Sequence, residues 1–328
     1  MDITDDGLRL LSNLAGHYDA WLQAMRVVDE GRLQWKTSGD REYLYRIIDR
    51  NGNGTSLGPR SAETETLREA YEIAKQTVER TWSQLQIEGR MYRALRLPRV
   101  PSYGAAALRQ LDLDTLLGTS VLVVGTNALA AYAIEAGVLT PSELDATEDF
   151  DLSWVGASAH VGLASRTVFG ALKEVDGTYT INRERTFQAR NAAGNEVELL
   201  IANDVASTLP KYEKLRPIPL PEQSWLLPGR RVSHVVCGLD GRPARIVAPD
   251  PRWFALHKLW LANKPSRDPL KKGKDQAQGR YLLDLVADRM PHFALDGEFE
   301  QQLPAELRPY YEGWRKDRPQ SSQRSEVR

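Results

Sequence analysis

Residues 121–138 read VLVVGTNALAAYAIEAGV, and residues 147–154 read TEDFDLSW. The first stretch is an apolar strand that stops at Gly125 and Thr126 and passes into a helical pattern. A glycine there lets backbone approach a ligand with no side chain in the way. Thr126 adds a hydroxyl, and a helix starting near Asn127 would aim its free N–H groups at the same spot, as helix ends that hold phosphate do. By itself a glycine at a strand end is usually only a tight turn. The second stretch sharpens the reading. In a strand, Asp149 and Asp151 share one face while Phe150 and Leu152 face the core. Two carboxylates side by side repel unless a cation lies between them, and paired metal ions about 3.5–4 Å apart are a known solution in phosphoryl and nucleotidyl transfer.

A third acid on a neighbouring strand would complete such a site. NEVELLIAND, residues 195–204, offers Glu196 and Glu198 on one face, with Val197, Leu199 and Ile201 on the other. Glu198 lies deeper in the strand and Glu196 beside the AAGN turn, so Glu198 is the better candidate. LDLD at 111–114 has the same Asp-x-Asp form but no strand–glycine–helix before it, so Asp112 and Asp114 are expected to cap a short helix.

The 328 residues are 41% hydrophobic and 27% charged, with a net charge of -1. That balance fits a folded chain with a substantial core and gives no global signature of nucleic-acid binding, so a polyanionic partner would need a local patch. No apolar run is long enough to span a bilayer. The acidic start MDITDDGLRLL lacks the pattern of a secretory signal, and the single cysteine, Cys237, leaves no internal disulfide; a cytoplasmic protein is the expectation. Five scattered histidines form no HExxH pattern. A metal, if used, would be held by carboxylates, which points to magnesium or manganese.

Along the chain, residues 8–31 carry apolar side chains at helical spacing. RLQWKTSGDREYLYRIIDRNGNGTSLGPR follows, cut by the turn chemistries TSGD and NGNG into a small β-meander. NGNG lacks the GK[ST] ending of a phosphate-binding P-loop. A long helix starts at Ser61 with a capped entry, and its stripe Leu67, Tyr71, Ala74, Val78, Trp82 and Leu85 is core. Residues 119–250 alternate strands and helices, which gives an α/β (α+β) unit with a mixed sheet flanked by helices. DPRWFALHKLWLAN is a helix, the basic stretch KPSRDPLKKGKDQAQGR leads to a further helix, and the polar end is expected to lack order. The expected organisation is an N-terminal helix, meander and long helix over 1–105, a catalytic domain over 106–250, a C-terminal helical region over 251–314 and a tail over 315–328.

The GT turn, the helix, DFD and the later VELL together resemble the nucleotidyltransferase superfamily that includes DNA polymerase beta. Over about residues 30–290, the segments VVGTNALAAYAIEAGV…TEDFDLSW, EYLYR…SLGPRSAETE and FALHKLW…KDQAQGRYLLDL resemble a bacterial family with this fold. The resemblance implies that Gly125 and Thr126 form the triphosphate-binding turn, that Asp149, Asp151 and Glu198 hold Mg2+ or Mn2+, and that Lys258 faces the triphosphate, with the pair Lys274-Asp275 downstream as in related toxin-type enzymes. Two departures stand out: Thr126 occupies a position more often Ser or Gly, and the interval to Asp149 is long, with LTPSELDA to accommodate. A snorkelling surface position is the competing reading of Lys258. The cluster Lys264, Arg267, Lys271, Lys272, Lys274 and Arg280 reads either as a solvated loop or as the patch for a polyanion.

The expected activity is metal-dependent transfer of a nucleoside monophosphate from an NTP to an acceptor hydroxyl of RNA, protein or a small molecule. The alternative is a non-catalytic nucleic-acid-binding or regulatory protein that keeps the fold. Trp35, Tyr43, Tyr45, Arg41 and Arg46 of the meander could stack on nucleic acid or could cover the long helix, and packing is the commoner use of such aromatics.

Overall fold

The computed structural model describes residues 1–49, 51–141, 149–156 and 167–318. The chain forms two compact units, one of Thr4–Thr115 and Val235–Arg245, the other of Met1–Ile3, Leu116–His234 and the chain from Ile246 onward.

The first unit opens with α1 (Asp5–Asp29), capped by Thr4, whose hydroxyl accepts the Gly7 N–H at 3.2 Å. The helix starts and stops slightly before the expected 8–31, and Gly31, at a φ of 129°, turns the chain out of it. Strands β1 (Arg32–Ser38), β2 (Arg41–Ile47) and β3 (Gly54–Pro59) form the antiparallel meander. Its Trp35 packs beside the buried Leu33, Leu44 and Tyr71, so that aromatic serves the core. Helix α2 (Ala62–Ala94) begins in a reciprocal cap: Ser61 Oγ accepts the Thr64 N–H while Thr64 Oγ1 accepts the Ser61 N–H. Tyr71, Ala74 and Leu85 are buried, but Leu67 is exposed, so the core stripe starts one turn later than its periodicity implies.

Strand β4 (Arg99–Val100) and α3 (Ser102–Leu113) follow. Asp112 and Asp114 do not open a helix. They end α3, with Asp114 as its C-cap, and Thr115, at a φ of 61°, breaks the chain away. Asp112 is buried and accepts from Arg245 Nε at 3.2 Å, which makes it a structural acid of this unit.

The second unit is built on a six-stranded mixed sheet. Its elements run β5 (Val121–Val123), α4 (Leu129–Glu135), β6 (Asp149–Trp154), α5 (Val168–Val175), β7 (Thr180–Ile181), β8 (Gln188–Arg190), β9 (Glu196–Ile201) and β10 (Ile218–Pro219). The sheet order is β5-β6-β9-β8-β7, with β10 paired to β9. Strand β6 is antiparallel to β5 and parallel to β9. Phe150, Leu152, Val197 and Leu199 are fully buried on the core side. Strands β11 (Val232–Gly238) and β12 (Pro243–Ala248) carry the chain out and back, and their tip, Val235–Arg245, belongs to the first unit. There Cys237 and Gly238 pair in parallel with Arg99 and Val100.

Helices α6 (Pro251–Asn263), α7 (Pro269–Arg289), α8 (Gly297–Gln302) and α9 (Arg308–Asp317) complete the second unit. Only the start of the basic stretch, with Lys264 and Arg267, is a loop: Asp268 accepts the Leu270 N–H and Pro269 takes the first helical position, so α7 starts early and carries Lys271, Lys272, Lys274 and Arg280 on its turns. Gly279 sets the approach of α6 to α7, since a Cβ there would lie 2.7 Å from Leu259 Cγ. Of the expected tail, Arg315–Asp317 continue α9 and residues 319–328 lie outside the described residues, as does most of LTPSELDA. No helix among the described residues is long and apolar enough to cross a membrane.

Gly89 of α2 tests the first unit. A Cβ there would stand 1.8 Å from the Gly241 carbonyl oxygen. Helix propensity alone makes Gly→Ala stabilising by about 1 kcal/mol, whereas overpacking costs about 1–3 kcal/mol. Gly89→Ala is expected to lower the urea midpoint; a raised midpoint would mean that the contact is not held in solution.

Candidate active site

Gly125 ends the β5 segment with a φ of 67°, a conformation that side-chain-bearing residues rarely adopt. Beyond strain, there is no room: a Cβ at Gly125 would lie 1.9 Å from Asp151 Oδ2. The glycine is therefore the condition for Asp151 to sit against this turn. The Val124 N–H donates to the Asp151 carbonyl at 3.0 Å and the Asn127 side chain donates to the Asp149 carbonyl at 3.1 Å, which fixes the turn to β6 from both sides. The chain after Gly125 is not at once an α-helix. Thr126–Ala128 form a 3-10 turn and α4 is a seven-residue helix without a side-chain cap, so the expected helix-end dipole is weak here. Thr126 is buried, and its hydroxyl accepts from Gln278 of α7 at 3.2 Å.

The parallel pairing of β6 with β9 sets Asp151 beside Glu198 and Asp149 beside Glu196. Gln188, opposite Glu198 on β8, donates from Nε2 to both Glu198 Oε1 and Glu196 Oε2 at 3.0 Å. Burial pushes the Asp151 carboxyl up to about 6, against the pull of Lys258, and the neighbouring Asp149 adds to the rise. Burial likewise raises Glu198 to about 7, with the charges of Asp151 and Asp149 pushing the same way. Among the described residues, no three His, Cys, Asp or Glu side chains are drawn together as a closed ligand set.

Cations face these acids. Lys258 of α6 is buried, not a surface lysine, and its Nζ bonds Asp275 Oδ1 at 2.8 Å. Burial lowers its pKa, partly offset by Asp275. Arg267 holds the other oxygen of Asp275 at 2.7 Å, so one carboxylate orients two cations. Lys271 Nζ stands 3.9 Å from Asp149 Oδ2. All of these line a cleft of about 350 Å³ together with Gly125, Thr126, Glu198 and Lys274. Glu196 and Lys272 do not line it, and Arg280 pairs instead with Asp317.

A family profile described as Nucleotidyltransferase matches residues 104–304, more than half of the chain. The chain belongs to this nucleotidyltransferase family. Among solved structures, it is similar to an antigenic nucleotidyltransferase-like protein from Paracoccidioides brasiliensis, with 17% identity, 66% of this chain and 89% of that chain covered and a TM-score of 0.36. No curated protein matches.

Within this nucleotidyltransferase, the six residues singled out from sequence, Gly125, Thr126, Asp149, Asp151, Glu198 and Lys258, line one cleft. Sequence reasoning missed Gln188, Gln278 and the two-cation role of Asp275. The Gln188 signal was present in the strand pattern QAR opposite VEL, but the pairing that gives it meaning is a tertiary fact.

The raised carboxyls make stability depend on pH. Unfolded, Asp151 and Glu198 titrate near their ordinary values of 3.8 and 4.5; folded, near about 6 and 7. The folded state binds the extra protons, so their contribution is full below about pH 4 and is lost as pH rises through about 6–7. In chelator, Tm should fall between pH 5 and 8, and Glu198→Gln should flatten that slope. Equal slopes in the two proteins would contradict the raised Glu198 carboxyl.

Proposed function

We propose that this nucleotidyltransferase transfers a nucleoside monophosphate from an NTP to an acceptor hydroxyl and releases pyrophosphate. One observation carries the reading: Asp151 and Glu198 are register partners against a glycine turn, in a cleft that also presents Lys258, Arg267, Lys271 and Lys274. Carboxylates raised by burial and by neighbouring carboxylates suit a divalent cation, and lysine and arginine suit phosphate oxygens. The donor set, all carboxylate oxygen, fits Mg2+ or Mn2+. A ligand set that is not closed also fits, because magnesium keeps waters and takes one or two carboxylates plus substrate phosphates.

Asp149, Asp151 and Glu198 would hold the metal. When bound, the metal offsets charge on the phosphates and lowers the pKa of the acceptor hydroxyl. The chain supplies the rest. Gly125 leaves the place of its missing side chain to the Asp151 carboxylate and so keeps that acid beside the turn that lines the cleft. Lys258 and Arg267, pre-aligned by Asp275, meet the negative charge that grows on the departing pyrophosphate. The acceptor oxygen bonds to the α-phosphorus, the bond from that phosphorus to the bridging oxygen breaks, and the hydroxyl proton leaves on the side of Glu198. An RNA end, a protein hydroxyl and a small molecule all satisfy this chemistry, and a toxin-like role is one setting for it. A non-catalytic binding protein would gain nothing from keeping Asp151 beside Glu198, since their repulsion costs stability.

Three substitutions test the reading. Glu198→Gln keeps size while removing charge, so NTP binding should persist and transfer of labelled nucleotide should drop by about 100-fold or more. Asp151→Asn should reduce both metal-dependent NTP binding and transfer. Glu196→Gln should change either by less than about threefold, because Glu196 lies outside the cleft. Normal labelling by Asp151→Asn and Glu198→Gln would refute the proposal. A loss with Glu196→Gln equal to that with Glu198→Gln would place the reacting atoms at the wrong end of β9.

A further inference from the structure

The acids occupy only one part of the cleft floor. Along β9, Leu200 follows Glu198 on the same face, and Ile218 of β10 is its register partner. Both line the cleft, as do Leu220 and Phe254. From the carboxylates outward the floor thus changes from charged to apolar.

Beyond Leu220 the chain makes a 3-10 turn, Pro221–Leu226, that packs on α6. Lys264 Nζ bonds Glu222 Oε1 at 2.6 Å, and Trp225 meets the rings of His257 and Trp260 edge-on, with centroids 6.4 and 5.0 Å away. This clasp fixes two cleft residues, Gln223 and His257, which are 3% and 4% exposed. Gln223 Oε1 and both ring nitrogens of His257 are buried without a hydrogen-bond partner. Burial and the nearby Lys258 push the imidazole down to about 3, so at neutral pH it carries one donor and one acceptor. Unpaired buried polar atoms cost free energy that a hydrogen-bonding ligand would recover. All three belong to residues that line one cleft with an apolar floor, a set that matches a flat ring whose edge carries both N–H and lone-pair groups.

We infer that Gln223 and His257 form a nucleobase subsite that makes the protein select among NTPs. This rests on the proposed NTP chemistry: the triphosphate lies toward Lys258 and Arg267, and the base lies over Leu200 and Ile218 with its edge on Gln223 and His257. Gln223 Oε1 accepts from a base N–H, and the imidazole supplies the complementary donor or acceptor.

The test is calorimetric titration of the full chain, with magnesium, by ATP, GTP, CTP, UTP and inorganic tripolyphosphate. The unmutated protein should bind one or two NTPs at least about tenfold tighter than tripolyphosphate and the remaining NTPs. Gln223→Met, which keeps shape and removes the acceptor, should bring the four NTPs to within about threefold of one another and leave tripolyphosphate unchanged. His257→Leu should do the same through the other partner. In the unmutated protein, the His257 ring nitrogen resonances should move with the favoured NTP and stay still with tripolyphosphate. An intact NTP ranking in either folded variant, or ring nitrogens unmoved at saturating NTP, overturns the subsite. If tripolyphosphate binds as tightly as every NTP, the subsite fails and the triphosphate site stands. If nothing binds, both readings fail together.

Discussion

The second unit depends on a repulsion. Parallel pairing of β6 and β9 places Asp151 and Glu198 as neighbours, two like charges where the sheet would otherwise gain from cross-strand attraction. The fold offsets this locally. Gln188 donates to Glu198, Lys258 pulls on Asp151, and both carboxyls are raised toward neutrality. None of these devices removes the charges. They hold both carboxyls in one place, and Gly125 is kept free of a side chain so that Asp151 has somewhere to be.

The opposite wall is arranged by the same economy. Lys258 sits where an isolated ammonium would be costly, and Asp275 makes its burial tolerable while also fixing Arg267. Both cations are thereby held in one arrangement by a single carboxylate. Gln278, one helical turn beyond, reaches Thr126 and ties α7 to the glycine turn. Helix, turn and strand hold one another through buried polar contacts rather than through apolar packing alone.

Much of this was legible in the chain. Period-2 alternation in DFDLSW and VELLI gave the faces of β6 and β9, and a glycine between an apolar run and a helical pattern located the turn. What stayed hidden depended on partners far away in sequence. Leu67 has the spacing of a core residue but lies on the outer edge of its stripe. Asp112 and Asp114 have the form of caps, yet burial and Arg245 make Asp112 an internal ion partner. The KKGKDQAQGR stretch reads as a loop because glycines and charges mask its periodicity, whereas the Asp-Pro start and the packing of Gly279 on α6 make it helix. His257 carries no signal at all in the sequence: nothing local says that its ring will be buried without a partner.

The first unit also has a history in time. Its hydrogen-bonded strand at Arg99–Val100 finds its parallel partner only at Cys237 and Gly238, and Gly89 packs on the carbonyl of Gly241. A ribosome therefore delivers α1, the meander, α2 and α3 well before the segment that closes them, and the second unit's sheet is synthesised in between. At chain-growth speeds of about 5–20 residues per second, β4 keeps an unpaired edge for several seconds. During that interval β4, in the N-terminal third of the chain, lacks its parallel partner and is open to wrong pairing that a chaperone would prevent.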